Sequence, residues 1–126
     1  MSIPANLFYT KDHEWISIEG DVATVGITNH AQEHLGDIVF VEVPSVGRSL
    51  SAHAVFGTVE SVKSVNDLFL PMAGTIIEKN PEVDTDPALV NNDPYGSGWI
   101  IRVKIEADAS REGLLDHEAY AAYIGE

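Results

Sequence analysis

Apolar and polar residues alternate with a period of two in several short stretches of this chain. His13-Glu14-Trp15-Ile16-Ser17-Ile18 alternates up to Glu19-Gly20-Asp21, and Val22-Ala23-Thr24-Val25-Gly26-Ile27 resumes the pattern. Two strands joined by a tight glycine-containing turn are predicted. Thr28 is a predicted N-cap, and Ala31-Gln32-Glu33-His34-Leu35 before Gly36 fits a short helix closed by a C′ glycine. Ile38 to Val43 is an apolar run ended by Pro44, whose missing donor discourages further pairing. Thr75 to Lys79 and Gly98 to Ile105 read as further strands. Asn80 to Gly98 reads as mostly loop, with one short helix capped by Thr85 or Asp86 and Pro87 at its first position. From Ser110 the period becomes helical, with Leu115, Ala119, Ala122 and Tyr123 on one stripe and Asp116 as an internal cap. A C-terminal helix over about 111–124, lying across the sheet, is expected.

The stretch from Val55 to Leu70 organises the rest. Val, Phe, Leu and Thr flank a polar middle of Lys63-Ser64 and Asn66-Asp67, which predicts a hairpin with a single lysine at its tip. On local pattern alone, an exposed turn that happens to hold a lysine is the better explanation. Many short strands punctuated by Gly and Pro, with one longer helix at the end, predict a mainly β fold. The expected form is a small barrel-sandwich hybrid of short antiparallel strands with short connecting helices and a C-terminal helix, in one domain over 1–126.

Composition changes the picture in three ways. Twenty Asp and Glu against seven Lys and Arg give a net charge of −13, a sign that opposes binding to nucleic acid or to anionic membranes. The acidity reads equally as a solvated, soluble exterior or as steering toward partners with basic docking sites, and it makes each lysine scarce. There is no cysteine, so the chain has no thiolate for redox chemistry, zinc binding or nucleophilic attack. The N-terminal residues lack a basic segment followed by an apolar one, and no run reaches the ~18 apolar residues of a membrane span. A cytoplasmic monomer is the expectation.

Candidate chemistry narrows further. His30-Ala31-Gln32-Glu33-His34 has the His-x-x-Glu-His order of a zinc hydrolase, and on a helix His30 and His34 share a face. A catalytic zinc also needs a third protein ligand and a cleft, which a two-turn helix between strands does not offer, so surface histidines are the simpler reading. Ser61 and Ser64 have no Gly-x-Ser-x-Gly elbow around them, and Gly96-Ser97-Gly98 precedes a strand where a phosphate loop needs a helix.

Five blocks, taken together, resemble the glycine cleavage system H protein family. They are Tyr9-Thr10-Lys11-Asp12-His13-Glu14-Trp15, Val25-Gly26-Ile27-Thr28, Leu35-Gly36-Asp37-Ile38-Val39-Phe40-Val41, Glu60-Ser61-Val62-Lys63-Ser64 and Asp93-Pro94-Tyr95-Gly96-Ser97-Gly98-Trp99. They occur in the family's order along nearly the whole chain. The resemblance implies a carrier and not an enzyme, with lipoate joined as an amide to Lys63. It implies visits to a pyridoxal-phosphate-dependent glycine decarboxylase, a tetrahydrofolate-dependent aminomethyltransferase and a dihydrolipoyl dehydrogenase, after modification by a lipoyl-attaching enzyme. It further implies a cleft that shelters the loaded arm, for which Glu14, His34 and Asp67 are the candidate residues. A relative that only relays lipoate to other proteins is the nearest alternative. A biotin carrier is further off, since that family flanks its lysine with methionines where this chain has Val62 and Ser64. Ser64, where the family commonly has Ala, and Leu70-Pro71-Met72-Ala73-Gly74 depart from the usual pattern and bear on partner recognition.

Overall fold

The computed structural model of the chain describes residues 3–111 and 113–125. Strands β1 (Phe8–Tyr9), β2 (Glu14–Glu19) and β3 (Val22–Ile27) lead to helix α1 (Asn29–Leu35), followed by β4 (Ile38–Glu42), β5 (Ser49–Leu50), β6 (Val55–Ser61), β7 (Val65–Phe69) and β8 (Gly74–Lys79). Two short helices, α2 (Pro81–Thr85) and α3 (Leu89–Asn92), precede β9 (Ile101–Ile105) and the C-terminal helix α4 (His117–Ile124). The strands form two sheets and not one closed barrel: a six-stranded sheet in the order β1-β2-β3-β9-β8-β5 and a three-stranded sheet β4-β6-β7. All pairings are antiparallel.

The core lies between the sheets. Ile16, Val25, Ile76 and Val103 from the larger sheet meet Val41, Phe56, Val59 and Leu68 from the smaller one, all buried. Removing such side chains from water is the main favourable term in holding the layers together. Gly57 sits at an irregularity in the β6-β7 pairing, where a Cβ would run into the carbonyl oxygen of Glu42 on β4. Only a glycine lets β6 approach β4 this closely.

Local signals account for most of the elements. The turn after β2 uses Gly20 at φ +65°, and α1 is capped by Thr28, whose hydroxyl accepts from the Ala31 N–H at 3.1 Å. Gly36 ends α1 with its N–H on the Gln32 carbonyl. The last strand begins at Ile101, three residues after the predicted Gly98.

Two helical predictions need correction. The loop after β8 holds two helices, and Asn80 caps the first with Pro81 at its start, so Thr85 ends a helix and caps none. Asn-Pro at 80–81 carries the same start signal as Asp-Pro at 86–87. Asn80 prevails because its amide also donates to the carbonyls of Ser97 and Trp99, both at 2.8 Å, while its oxygen accepts from Glu82 N–H. The second helix runs from Leu89 with Ala88 as a cap that offers no side-chain bond.

The C-terminal helix starts at His117 and not near 111, with Asp116 as its N-cap, Oδ1 accepting from Ala119 N–H at 2.8 Å. Leu115 is drawn out of the helix because its backbone pairs with Tyr9, in bonds of 2.8 and 2.7 Å. The buried residue of α4 is Tyr120, stacked on Tyr9 of the edge strand β1 with ring centroids 4.7 Å apart, while Tyr123 of the expected stripe is 48% exposed. The helix therefore packs at the sheet edge. Asp116→Ala is expected to lower stability by about 1 kcal/mol in denaturant unfolding, the usual worth of an N-cap. An Asp116 internal to a longer helix would give no loss, since alanine is the better helix former.

Candidate functional site

The lysine tip is built without glycine. Ser61 N–H donates to the Ser64 carbonyl at 2.8 Å, and the Ser61 hydroxyl accepts from the N–H groups of Lys63 and Ser64 at 3.3 and 3.2 Å. Val62 N–H donates to the Asp37 carbonyl at 3.0 Å, which ties the tip to the end of α1. Lys63 is exposed between Val62 and Val65, which are 68% and 63% exposed. Its side chain passes over Gly36, where an added Cβ would stand 3.8 Å from Lys63 Cε. A glycine at φ +80° thus ends α1 beneath the lysine stem.

Beside the tip lies a cleft of about 500 Å³. Asn66 to Phe69 of β7 form one wall, and His30, Ala31, His34 and Leu35 of α1 form the other. Lys11, Asp12 and His13 line it from the loop before β2, and Ile27, Val59 and Leu68 add apolar surface. Asp67 is an exposed strand residue on its wall, four positions past the lysine, and His34 lines the opposite wall.

Glu14 is placed differently. It is 2% exposed, lies behind Phe69 and is not among the lining residues. Its Oε2 accepts from the Phe69 N–H at 2.6 Å, and its Oε1 is buried with no hydrogen-bond partner. Burial pushes its carboxyl well above the ordinary glutamate value; the Phe69 bond opposes this and the charge of Asp12 adds to it. Of the residues expected from the sequence, Asp67 and His34 lie on facing walls of one cleft beside the Lys63 tip, and Glu14 lies one residue behind its surface.

Two cleft features were not foreseen. His13 precedes β2 in the left-handed region at φ +64°, and its ring lies 4.7 Å from that of His30, which lies 4.3 Å from His34. The three imidazoles form one row of mutually tilted rings. His13 is held below the ordinary imidazole value by burial first and by its histidine neighbours next, with Asp12 opposing. Behind this row, the Tyr120 hydroxyl reaches His13 Nδ1 at 3.0 Å and Thr28 Oγ1 at 2.8 Å. A positive φ at a non-glycine residue and a contact across 107 positions leave no local pattern to read. Among the described residues, no three His, Asp or Glu side chains are arranged to hold a metal ion.

An exposed amine on a hairpin beside an acidic and apolar cleft suits a carrier whose cargo rides on the amine. The glycine cleavage H-protein family matches residues 7–126. The chain belongs to the glycine cleavage H-protein family. A glycine cleavage system H protein of Bacteroides thetaiotaomicron is 56% identical over 124 residues, covering 98% of each chain. One from Chlorobaculum tepidum is 56% identical over 128 residues, covering both chains fully. The crystal structure of a glycine cleavage system H protein from Mycobacterium marinum superposes with a TM-score of 0.89 at 45% identity, covering 98% of this chain and all of the other. The family member is a carrier component of a multienzyme system and not one of its enzymes. That reading displaces the zinc-hydrolase alternative for His30 and His34. No helix among the described residues is long and apolar enough to cross a membrane.

Proposed function

We propose that this chain is the lipoyl-carrying shuttle of a glycine cleavage system, folded as one carrier domain, with Lys63 as the attachment residue. The observation that carries the assignment is the exposed Lys63 at the tip of a paired antiparallel hairpin, open to a modifying enzyme and to deep active sites alike. The partners are the pyridoxal-phosphate-dependent decarboxylase, the tetrahydrofolate-dependent aminomethyltransferase, the dihydrolipoyl dehydrogenase and the lipoyl-attaching enzyme, all met in the cytoplasm. When bound, lipoate supplies the dithiolane that takes up an aminomethyl group and is later reoxidised, chemistry that a chain without cysteine cannot provide.

The residues present fit such an arm. Ile27, Leu35, Val59 and Leu68 offer apolar surface to a hydrocarbon chain, and Asp12 and Asp67 offer negative charge to an amine that is cationic at neutral pH. Glu14 adds the orphaned Oε1 just behind Phe69, a buried acceptor lacking the partner that an ammonium would supply. Lys63 starts beside this cleft, its stem already laid along the end of α1. Shelter there keeps water from the labile cargo.

Loading the lipoylated chain with an aminomethyl group and timing its release as ammonia tests the cleft. Asp67→Asn is expected to shorten the loaded lifetime several-fold while leaving unfolding stability within about 0.5 kcal/mol, as for other exposed sites. An unchanged lifetime removes Asp67 from the shelter.

A further inference from the structure

Behind the cleft wall the C-terminal helix places the buried Tyr120 hydroxyl against His13, and its hydrogen bonds constrain one another. Thr28 Oγ1 already accepts the Ala31 N–H at 3.1 Å as the cap of α1. If His13 Nδ1 carries no proton, Tyr120 donates to it at 3.0 Å and Thr28 donates to Tyr120 at 2.8 Å, so each hydroxyl both donates and accepts. If Nδ1 carries a proton, it donates to the Tyr120 oxygen, and the relay from Thr28 through Tyr120 to His13 loses its last link. Thr28 and Tyr120 are both 0% exposed, so no water replaces that bond.

We propose that Tyr120 is a positioning residue for the arm cleft: its hydroxyl fixes His13 as the Nε2-protonated neutral tautomer, so that this imidazole adds no positive charge to the wall facing a cationic arm. The proposal rests on the sheltering role of the cleft. The ionisable groups around His13 are Lys11 and Asp12 on its own loop, His30 and His34 on α1, Tyr120 and Tyr123 on α4, Glu14 on β2 and Asp67 across the cleft on β7. Lys11 lies with its ammonium 5.8 Å from the Tyr123 ring. With ring centroids this close, a positive charge on one imidazole opposes charge on the next, and each proton taken up weakens the pull of Asp12 and Asp67 on an ammonium. The downward shift of His13 agrees with this arrangement.

Tyr120→Phe removes the hydroxyl and keeps the ring stacked on Tyr9. Ring-nitrogen NMR of the unmodified chain is expected to show His13 protonated at Nε2 at neutral pH, titrating below the ordinary value of 6.5. In Tyr120→Phe both tautomers should appear and the midpoint should rise by about half a unit to one unit, which one hydrogen bond to the neutral form is worth. The lipoylated, aminomethyl-loaded variant should then release ammonia a few-fold faster than the native chain, with the gap widening from pH 8 to pH 6. A native His13 protonated at Nδ1 overturns the proposal even if the variant fails to fold. An unchanged midpoint and lifetime in a folded variant overturn it while leaving the shelter intact. A native loaded lifetime no longer than that of a free aminomethyl-lipoamide overturns the shelter itself.

Discussion

Lys63→Arg should take up no lipoate and support no glycine-dependent turnover when mixed with the partner enzymes, falling to the background of a mixture without the chain. Arginine retains a long cationic side chain but presents a delocalised guanidinium in place of the amine that forms the amide. The loss should be complete, because no other residue contributes chemistry to the cargo. Stability should be untouched. Lys63 is exposed, and the turn beneath it is held by Ser61 and Ser64 and by the Val62 bond to Asp37. An unfolding free energy within about 0.5 kcal/mol of the native chain is expected. Turnover above background in the variant would show that the cargo rides elsewhere.

Glu14→Gln should move stability and function in opposite directions. The native carboxyl is 2% exposed, has one oxygen without a partner and is raised well above its ordinary value of 4.5. A carboxyl whose folded value exceeds its unfolded value binds its proton more tightly in the folded state. Stability is therefore lost as pH climbs from the unfolded value towards the folded one, and it stays low above that. Glutamine keeps the shape and the acceptor for Phe69 N–H but cannot ionise. The variant should match the native chain near pH 4 and exceed it by about 1 kcal/mol at pH 8, the order of one unpaired buried polar group. The loaded lifetime should fall roughly tenfold, about 1.4 kcal/mol, near the worth of a hydrogen bond to a charged group. Chemical denaturation at the two pH values and timed ammonia release read the two effects separately. Equal stability at pH 8 or an undiminished lifetime would leave the buried carboxylate without a role in the cleft.

The parts of this molecule legible in the sequence are those specified by near neighbours. The hairpin shows in the β-rich runs on either side of Lys63, and α1 shows in Thr28 and Gly36, each acting within its own turn. Asn80 was not legible as a cap because what selects it is a pair of carbonyls 17 and 19 residues away. The start of α4 was misplaced for the same reason, since Leu115 is claimed by Tyr9 through the sheet edge. At the site, Asp67 was within reach of Lys63 by simple strand spacing, whereas Glu14 was found through its block and not through its surroundings. Its burial behind Phe69 depends on β7 crossing in front of β2, a pairing of layers that no local period encodes. His13 and Tyr120 escaped notice because a left-handed histidine and a contact between opposite ends of the chain become visible only once the sheet is assembled.

The central claim is that Lys63 carries lipoate. The intact mass of the chain expressed in lipoate-replete cells, followed by mapping of the modified peptide, tests it directly. A single lipoyl amide on Lys63 is the expected result. An unmodified chain, a biotinyl group, or acylation at another lysine would contradict it.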